Sequence, residues 1–314
     1  MIPALILTAG LGTRLRPLSS VRAKGALPVA GEPLVRRILR WLADGGVTDA
    51  VLNLHHLPQT LTAEVGDGSD LGVRVRYSWE TPVLGSAGGP KRALPILNAP
   101  RFLIVNGDTL TDLDLGPVLA DHARSGALVT MAVVPNTQPH KYSGLAVDDD
   151  DAVTGVVRRG SAEPSHHFFG VQVVESSAFD SVRDDVPSET VGQLYPALIA
   201  ARAGSVRAYR AAAEYLDIGT AADYLDSCMR IADREGSGGT IGRRVQIAAD
   251  ARIERSILWD DVVVEDGTLL RECVVADGVR VPAGTSWHGV TLRLATGELT
   301  PGERRIGELA IASL

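Results

Sequence analysis

Phe, Trp and Tyr together supply only 4% of this 314-residue chain, so its core has to be assembled from Val, Leu, Ile and Ala. Cysteine is nearly missing. Cys228 and Cys273 are too few for a disulfide framework and read as two reduced, buried thiols of a cytoplasmic protein. Lysine occurs only at positions 24, 91 and 141, with arginine carrying almost all the positive charge, so a lysine inside a motif is informative here. No apolar run approaches the ~20 residues of a membrane span. The apolar start Met1 to Leu7 is too short for a secretory signal and lacks its basic leader. A formal charge of −7 argues against a basic face for nucleic acid. It leaves room for a phosphate pocket, which needs positive charge only locally.

What is present is enough for about two domains, at roughly 150 residues each. Over the first 230 or so residues, strand-like and helix-like segments alternate. Ala4 to Leu7 is a short apolar run ending in a Gly-rich turn, and Ala50 to Leu54, Phe102 to Val105 and Leu128 to Val134 are similar runs. Val73 to Tyr77 alternates like a strand with one wet face. Leu34, Val35, Ile38, Leu39 and Leu42 recur at helical spacing and stop at Gly45-Gly46. This order predicts βαβ units and a doubly wound, mostly parallel α/β sheet. Thr220 and Asp223 form a capping-box-like start to a helix reaching about Arg234, and Glu235 to Gly239 is a flexible linker. We therefore expect two domains, 1–234 and 235–314.

Past the linker the period changes. Ile241, Ile247 and Ile253 are six apart; after a four-residue phase shift Ile257, Val263, Leu269, Val275 and Val281 are again six apart. Hexapeptide spacing predicts a short β-helix of about three coils, with each of these aliphatics stacked inside. With no separate catalytic constellation, that part is expected to be structural or oligomeric, consistent with a homo-oligomer.

The segment Leu7-Thr8-Ala9-Gly10-Leu11-Gly12-Thr13-Arg14-Leu15-Arg16-Pro17-Leu18 follows directly on the first strand. Glycines there let the backbone turn and bring N–H groups towards phosphate oxygens, beside two guanidinium groups. A lone G-x-G would be read more simply as a strand-to-helix turn. The dinucleotide-binding alternative fails because position 15 is Leu where a small residue is required, and no Gly-Lys-Ser/Thr loop is present.

Lys24 then follows, with Leu27-Pro28-Val29 behind it. Together with the loop, this resembles the signature of the sugar-1-phosphate nucleotidyltransferases, the NDP-sugar pyrophosphorylases. The resemblance continues through Leu84-Gly85-Ser86-Ala87-Gly88-Gly89, Asn106-Gly107-Asp108 and Tyr215-Leu216-Asp217-Ile218-Gly219-Thr220. The hexapeptide tail, a left-handed β-helix in this family, is similar to that of the mannose-1-phosphate guanylyltransferase branch. The implied reaction is attack by a sugar phosphate oxygen on the α-phosphorus of a nucleoside triphosphate, with pyrophosphate leaving. Its demands are positioning and charge neutralisation rather than a Ser-His pair.

The resemblance implies catalytic roles for Arg14 (β- and γ-phosphates), Lys24 (α-phosphate region), Asp108 and Asp217. Asp108 and Asp217 are the pair expected to hold Mg²⁺, which takes one or two carboxylates plus phosphate oxygens and water. Leu7, Ala9, Gly10, Gly12, Thr13 and Asn106 are expected along the nucleotide. Gly85 and Gly88 would let the backbone approach the base, with Glu80 close by, and Gly144 and Gly170 would meet the sugar phosphate.

The pattern departs in three places. The family's Glu-Lys-Pro triplet is replaced by Val156-Val157-Arg158-Arg159-Gly160, so Arg158 or Arg159 is expected to take the sugar phosphate. Its Asn-Ala-Gly sugar contact is Phe168-Phe169-Gly170, and Ala23 stands where many members have Pro. Asn53 or His55 is expected near the pocket. The adjacent pairs His55-His56 and His166-His167 point to opposite strand faces and do not chelate one ion. GTP with mannose 1-phosphate or a heptose 1-phosphate is favoured. Uridylyl or thymidylyl transfer, a non-catalytic sugar-nucleotide-binding subunit, and an acyltransferase using His288 stand behind it.

Overall fold

The computed structural model describes residues 2–236 and 238–314, so Met1 of the apolar start and Ser237 of the linker lie outside the described residues. Backbone proximity divides the chain into two compact units. The first comprises Met1–Gly10, Arg37–Pro58 and Val65–Leu216; the second comprises Leu11–Arg36, Gln59–Glu64 and Asp217–Leu314.

The first unit is built on a nine-stranded sheet. Strands β1 (Ala4–Leu7), β2 (Asp49–Leu54), β3 (Arg74–Trp79) and β4 (Arg101–Asn106) lie parallel in the order β3-β2-β1-β4. The apolar runs of β1, β2 and β4 are buried on both faces, as parallel strands require, with Leu5, Val51, Phe102 and Ile104 fully enclosed. Strand β3, at the edge, exposes Arg74 and Trp79. The five remaining strands are β5 (Val129–Pro135), β6 (Gly144–Val147), β7 (Val153–Val157), β8 (His166–Glu175) and β9 (Val206–Arg210). Strand β8 reverses the direction, pairing antiparallel with β4, β5 and β6, while β9 runs parallel to β5. Sequence patterning reveals the four parallel strands and β5; β6 to β9 are short or interrupted by Gly155 and Gly170, which breaks their apolar runs.

Helices are α1 (Leu34–Asp44), α2 (Pro58–Val65), α3 (Gly85–Leu97), α4 (Leu115–Ser125), α5 (Tyr195–Ala201) and α6 (Ala221–Glu235). The apolar stripe of α1, from Leu34 to Leu42, is buried as its spacing requires. Helix α6 starts on the expected capping box: Thr220 Oγ1 accepts from the Asp223 N–H, and the Asp223 carboxylate accepts from the Thr220 N–H. Helix α3 is the surprise, since it carries Pro90 and Pro95 in its interior along with three glycines. Each interior proline costs roughly 3 kcal/mol relative to Ala. Burial of Ala87, Ala93 and Leu97 in the core shared with β1, β2 and β4 outweighs that cost.

In the second unit the hexapeptide region forms three short parallel sheets. Gln246–Ile247, Val263–Val264 and Arg280–Val281 make one; Arg252–Glu254, Leu269–Arg271 and Ser286–His288 make another; Ile257–Leu258, Val274–Val275 and Val290–Leu294 begin the third. Partners fall at 246, 263 and 280, and at 252, 269 and 286, so each coil is seventeen residues rather than eighteen. This corrects the strict six-residue stack expected from the sequence. The registers align Ile247 with Val264 and Val281, Ile253 with Leu270 and Trp287, and Leu258 with Val275 and Leu292. Steps of six, five and six residues lead from one inner position to the next. Neighbouring strand residues face opposite ways, so Val263 and Leu269, which keep the strict spacing, are partly exposed while Val264 and Leu270 are buried. The strand Leu309–Ser313 pairs antiparallel with Val290–Leu294 and closes the last coil with Leu309 and Ile311. Cys228 and Cys273 are both buried.

If the inner stack steps by seventeen residues, Leu270→Ala should cost about 2–5 kcal/mol in urea unfolding. Leu269→Ala should cost about 1 kcal/mol or less. Equal losses would restore the strict hexapeptide stack.

Candidate functional site

The carboxyl ends of β1, β2 and β3 are joined through one side chain. Asn53, at the end of β2 and 3% exposed, accepts from the Thr8 N–H (2.6 Å) and the Ala9 N–H (3.3 Å) through Oδ1. Its Nδ2 donates to Glu80 Oε1 at 2.7 Å, and its own carbonyl accepts from Thr8 Oγ1 at 2.5 Å. Glu80, also buried, uses Oε2 to accept from the Leu84 N–H at 2.8 Å, directly ahead of α3. Its carbonyl bonds His55 Nδ1 at 2.9 Å. Each side-chain oxygen and nitrogen of these two buried polar groups therefore has a partner, and together they hold the loops at the carboxyl end of the sheet. Asn53 and Glu80 are brought together with Ala9. Gly89, which sequence reasoning passed over, belongs with them: a Cβ there would sit 2.6 Å from Glu80 Oε1 and 2.9 Å from Asn53 Nδ2.

At the end of β4, Gly107 presses against β1. Its N–H donates to the Leu7 carbonyl at 3.1 Å, and a Cβ would approach that oxygen to 2.5 Å. This leaves half-buried Asp108 just past the strand end. Gly170, at φ +96°, packs on the Asn106 side chain, with an added Cβ only 2.8 Å away. Gly144 is enclosed by Ser165 and Asn136. The close approach permitted by Gly85 and Gly88 is made by residues of the same unit. Added Cβ atoms there would meet the Ser188 and Val186 carbonyl oxygens at 2.6 and 2.7 Å. Glu189 Oε2 accepts from Ser86 Oγ at 2.5 Å.

Arg158 and Arg159 lie in an exposed turn after β7, tied back by a 2.7 Å bond from the Gly160 N–H to the Pro139 carbonyl. A cation that sequence reasoning missed lies nearby in the chain: Lys141, whose Nζ is 5.2 Å from the Tyr142 ring centroid. Tyr142 begins a row of rings, with His167 at 4.1 Å from it, Tyr215 at 5.1 Å from His167, and Phe169 at 5.6 Å from Tyr215. The available signal was composition, since Lys141 is one of only three lysines. Burial, reinforced by the Lys141 charge, lowers His167 to about 4. His122, enclosed between Thr130 and Glu175, is likewise lowered by burial, although its Glu175 bond acts the other way.

The second unit gathers the charged residues of the loop signature. Gly12 adopts φ +60°, which favours glycine. A Cβ on it would lie 3.0 Å from Ser19 Cβ and 3.8 Å from Lys24 Cβ, so the turn and Lys24 are neighbours. Ser19 Oγ donates to the Gly12 carbonyl at 2.7 Å and fixes the turn from behind. Gly10 has open space around it. Thr13 and Arg14 are exposed, on a single 3₁₀ turn whose Leu15 is buried. Gly219 brings Arg14 and Asp217 to one place: a Cβ there would be 3.3 Å from Arg14 Nη1 and 3.4 Å from Asp217 Oδ2. Among the described residues, no group of three or more His, Cys, Asp or Glu side chains is arranged to hold a metal. No helix among them is long and apolar enough to cross a membrane.

The first unit is a mixed α/β fold with a largely parallel central sheet, and the second ends in parallel hexapeptide coils. The nucleotidyl transferase family model matches residues 3–234, and a GlmU-like C-terminal hexapeptide model matches residues 228–290. The chain belongs to the nucleotidyl transferase family, and its relatives are sugar-1-phosphate nucleotidyltransferases. It is 30% identical over 294 residues to a mannose-1-phosphate guanylyltransferase of Mycobacterium tuberculosis, covering 90% of this chain and 82% of that one. It is 34% identical over 226 residues to an N-acetylmuramate alpha-1-phosphate uridylyltransferase of Neisseria meningitidis serogroup B, covering 69% and 93%. The crystal structure of HddC from Yersinia pseudotuberculosis aligns with a TM-score of 0.65 at 23% identity, over 74% of this chain and all of that one, and supports the fold alone.

His122 and His167 are held neutral below the ordinary histidine range, so the unfolded chain binds protons that the folded one refuses. Their contribution is present above about pH 6.5 and is lost as pH falls below it, for His167 towards about 4. The thermal midpoint should therefore drop between pH 7 and pH 5, with a shallower slope in His167→Phe. An unchanged slope in that variant would remove His167 as a source.

Proposed function

We propose that this chain joins a nucleoside triphosphate to a sugar 1-phosphate, releasing pyrophosphate, with GTP and mannose 1-phosphate or a heptose 1-phosphate as the favoured pair. The observation that carries the proposal is the grouping in one unit of Gly12 with Lys24 and of Arg14 with Asp217. In the reaction a phosphate oxygen of the sugar 1-phosphate forms a bond to the α-phosphorus, and the bond to the bridging oxygen of the β-phosphate breaks. The electron pair leaves with pyrophosphate. Because the nucleophile is already an anion, the residues must hold like charges together rather than move a proton. Arg14 would grip the outer phosphates through its planar fork and Lys24 the region of the α-phosphate. The turn Gly10 to Thr13 would offer backbone N–H groups. Leu7, Ala9, Asn106 and Glu80 would line the nucleotide, with Gly85 and Gly88 towards the base.

Asp108 and Asp217 are the carboxylates we assign to Mg²⁺, which takes one or two carboxylates together with phosphate oxygens and water. When bound, the ion would neutralise charge on the phosphate oxygens and the departing pyrophosphate. For the sugar phosphate, with Gly144 and Gly170 close by, three cations compete: Arg158, Arg159 and Lys141. We rank Lys141 first, because Arg158 and Arg159 occupy an exposed turn while Lys141 lies against the aromatic row. We place this work in the cytoplasm, in residues 1–234, with residues 235–314 supporting a homo-oligomer. The Neisseria relative's name makes uridylyl transfer the second reading.

Purified protein should release pyrophosphate in a Mg²⁺-dependent manner from one pair in a panel of four or five triphosphates against several sugar 1-phosphates. The productive triphosphate decides between guanylyl and uridylyl transfer. Sugar-nucleotide binding with no pyrophosphate from any pair would instead identify a non-catalytic subunit. Asp108→Asn should lower turnover at least about a hundredfold; wild-type turnover would sink the metal assignment.

Lys141→Met should raise the KM for the sugar 1-phosphate about tenfold and leave that for the triphosphate little changed, the loss expected for one charged hydrogen bond. Arg158→Ala and Arg159→Ala should stay near wild type. The opposite ranking would return the sugar phosphate to the arginines.

A further inference from the structure

Lys24 stands on a short segment anchored at three points: by the β-helix, by α6 backed by Trp259, and by Gly239 of the linker. At its start, Arg22 reaches two successive coils. Nε and Nη2 donate to Asp277 Oδ2 and Oδ1 at 2.7 and 2.6 Å as a two-pronged pair, and Nη2 also donates to Asp260 Oδ2 at 3.0 Å. The guanidinium carbon lies 5.4 Å from the Trp259 ring centroid, close enough for a cation–π contribution. At its end, the Pro28 carbonyl accepts from Tyr224 OH, whose oxygen in turn accepts from Trp259 Nε1 at 3.0 Å. Beyond it, Gly239 packs so tightly on Ala30 that a Cβ would come 2.5 Å from the Ala30 carbonyl oxygen. Between these anchors the Ala23 N–H donates to Thr60 Oγ1 at 3.0 Å, and Lys24 opens the 3₁₀ turn Lys24–Ala26.

The two carboxylates are a product of the coil register. Asp260 and Asp277 are seventeen residues apart, the length of one coil, so they occupy equivalent corners one above the other. Two stacked carboxylates repel unless a cation lies between them, and Arg22 and Arg243 supply it. Burial alone would raise the Asp260 carboxyl, but hydrogen bonds from Arg243 and Arg22 overcome this and bring it to about 2. The Arg22 side chain is only 12% exposed, and in that setting a bidentate charged pair holds direction as well as distance.

We propose that the β-helix is a positioning element of the transfer site: Asp277 and Asp260, acting through Arg22, hold the 22–28 segment so that Lys24 stays against the Gly12 turn. This rests on the reading of Lys24 as a phosphate-binding residue. Arg22 and the two aspartates are positioning residues; none of them is assigned to substrate.

Two measurements on the full chain test it. The first is hydrogen exchange of the 23–28 amides, which is independent of activity. Asp277→Ala and Arg22→Ala should each speed that exchange, and Arg22→Lys should restore part of it. Unchanged exchange in Asp277→Ala overturns the proposal even if no substrate pair has been found. The second is steady-state kinetics with the productive pair. Asp277→Ala should lower kcat about ten- to a hundredfold, the effect of displacing a charged group by about 1 Å. Asp277→Asn should be intermediate, and the double variant with Arg22→Ala no worse than either single. In a Lys24→Ala background, Asp277→Ala should have no further effect on kcat. A wild-type kcat in Asp277→Ala, or an undiminished loss in the Lys24→Ala background, overturns it. Wild-type protein inactive on every pair would instead remove the proposed reaction, leaving the exchange result to decide the clasp.

Discussion

A single buried amide, that of Asn53, sets the geometry on which the carboxyl end of the sheet depends. It accepts from the first two N–H groups past β1 and donates to Glu80 past β3, while Glu80 accepts from the N–H that leads into α3. Buried polar groups of this kind are expensive when a partner is missing and strengthen one another when all are present. The network is therefore nearly all-or-none, and it orders the loops after three strands and the start of a helix together. Gly89 shows how little slack remains, since even a methyl group would press on both side chains at once.

That constraint explains how α3 tolerates two interior prolines. A helix with poor propensity can be held by capping at one end and apolar burial along one face. Glu80 provides the first at the Leu84 N–H, and Ala87, Ala93 and Leu97 provide the second. Glu189 adds a carboxylate at the positive end of the helix through Ser86. Gly85 and Gly88, expected to make room for a base, thus also make room for the 186–189 segment.

Much of this was legible in the chain because local signals and tertiary demands agreed. Buried parallel strands need continuous apolar runs, so β1, β2 and β4 announce themselves; the Thr220–Asp223 capping box marks the start of α6 within a residue. Where the two disagreed, the sequence misled. Pro90 and Pro95 conceal α3, and Gly155 and Gly170 break β7 and β8. Leu269 and Leu270 are chemically identical neighbours, and only the seventeen-residue register decides which faces inward. Of the residues proposed for the site, the loop and Lys24 stand out in the sequence because their residue types follow one another closely in the chain. Lys141 does not, because what singles it out is a row of rings contributed by residues 142, 167, 169 and 215.

The same register sets how the C-terminal coils meet the segment carrying Lys24. In a coil of constant length, any residue type repeated at that length forms a column, and a column of carboxylates is unfavourable unless cations are supplied from outside or from the coil itself. Arg244 with Asp261 and Arg271 with Glu254 solve this locally, each pairing across seventeen residues. Asp277 differs, because its two-pronged partner is Arg22, two residues from Lys24. A purely structural tail would have no need to reach outside itself for that charge. The cation for this corner comes from the segment carrying Lys24, which is the contact on which the proposed coupling between coil and segment rests.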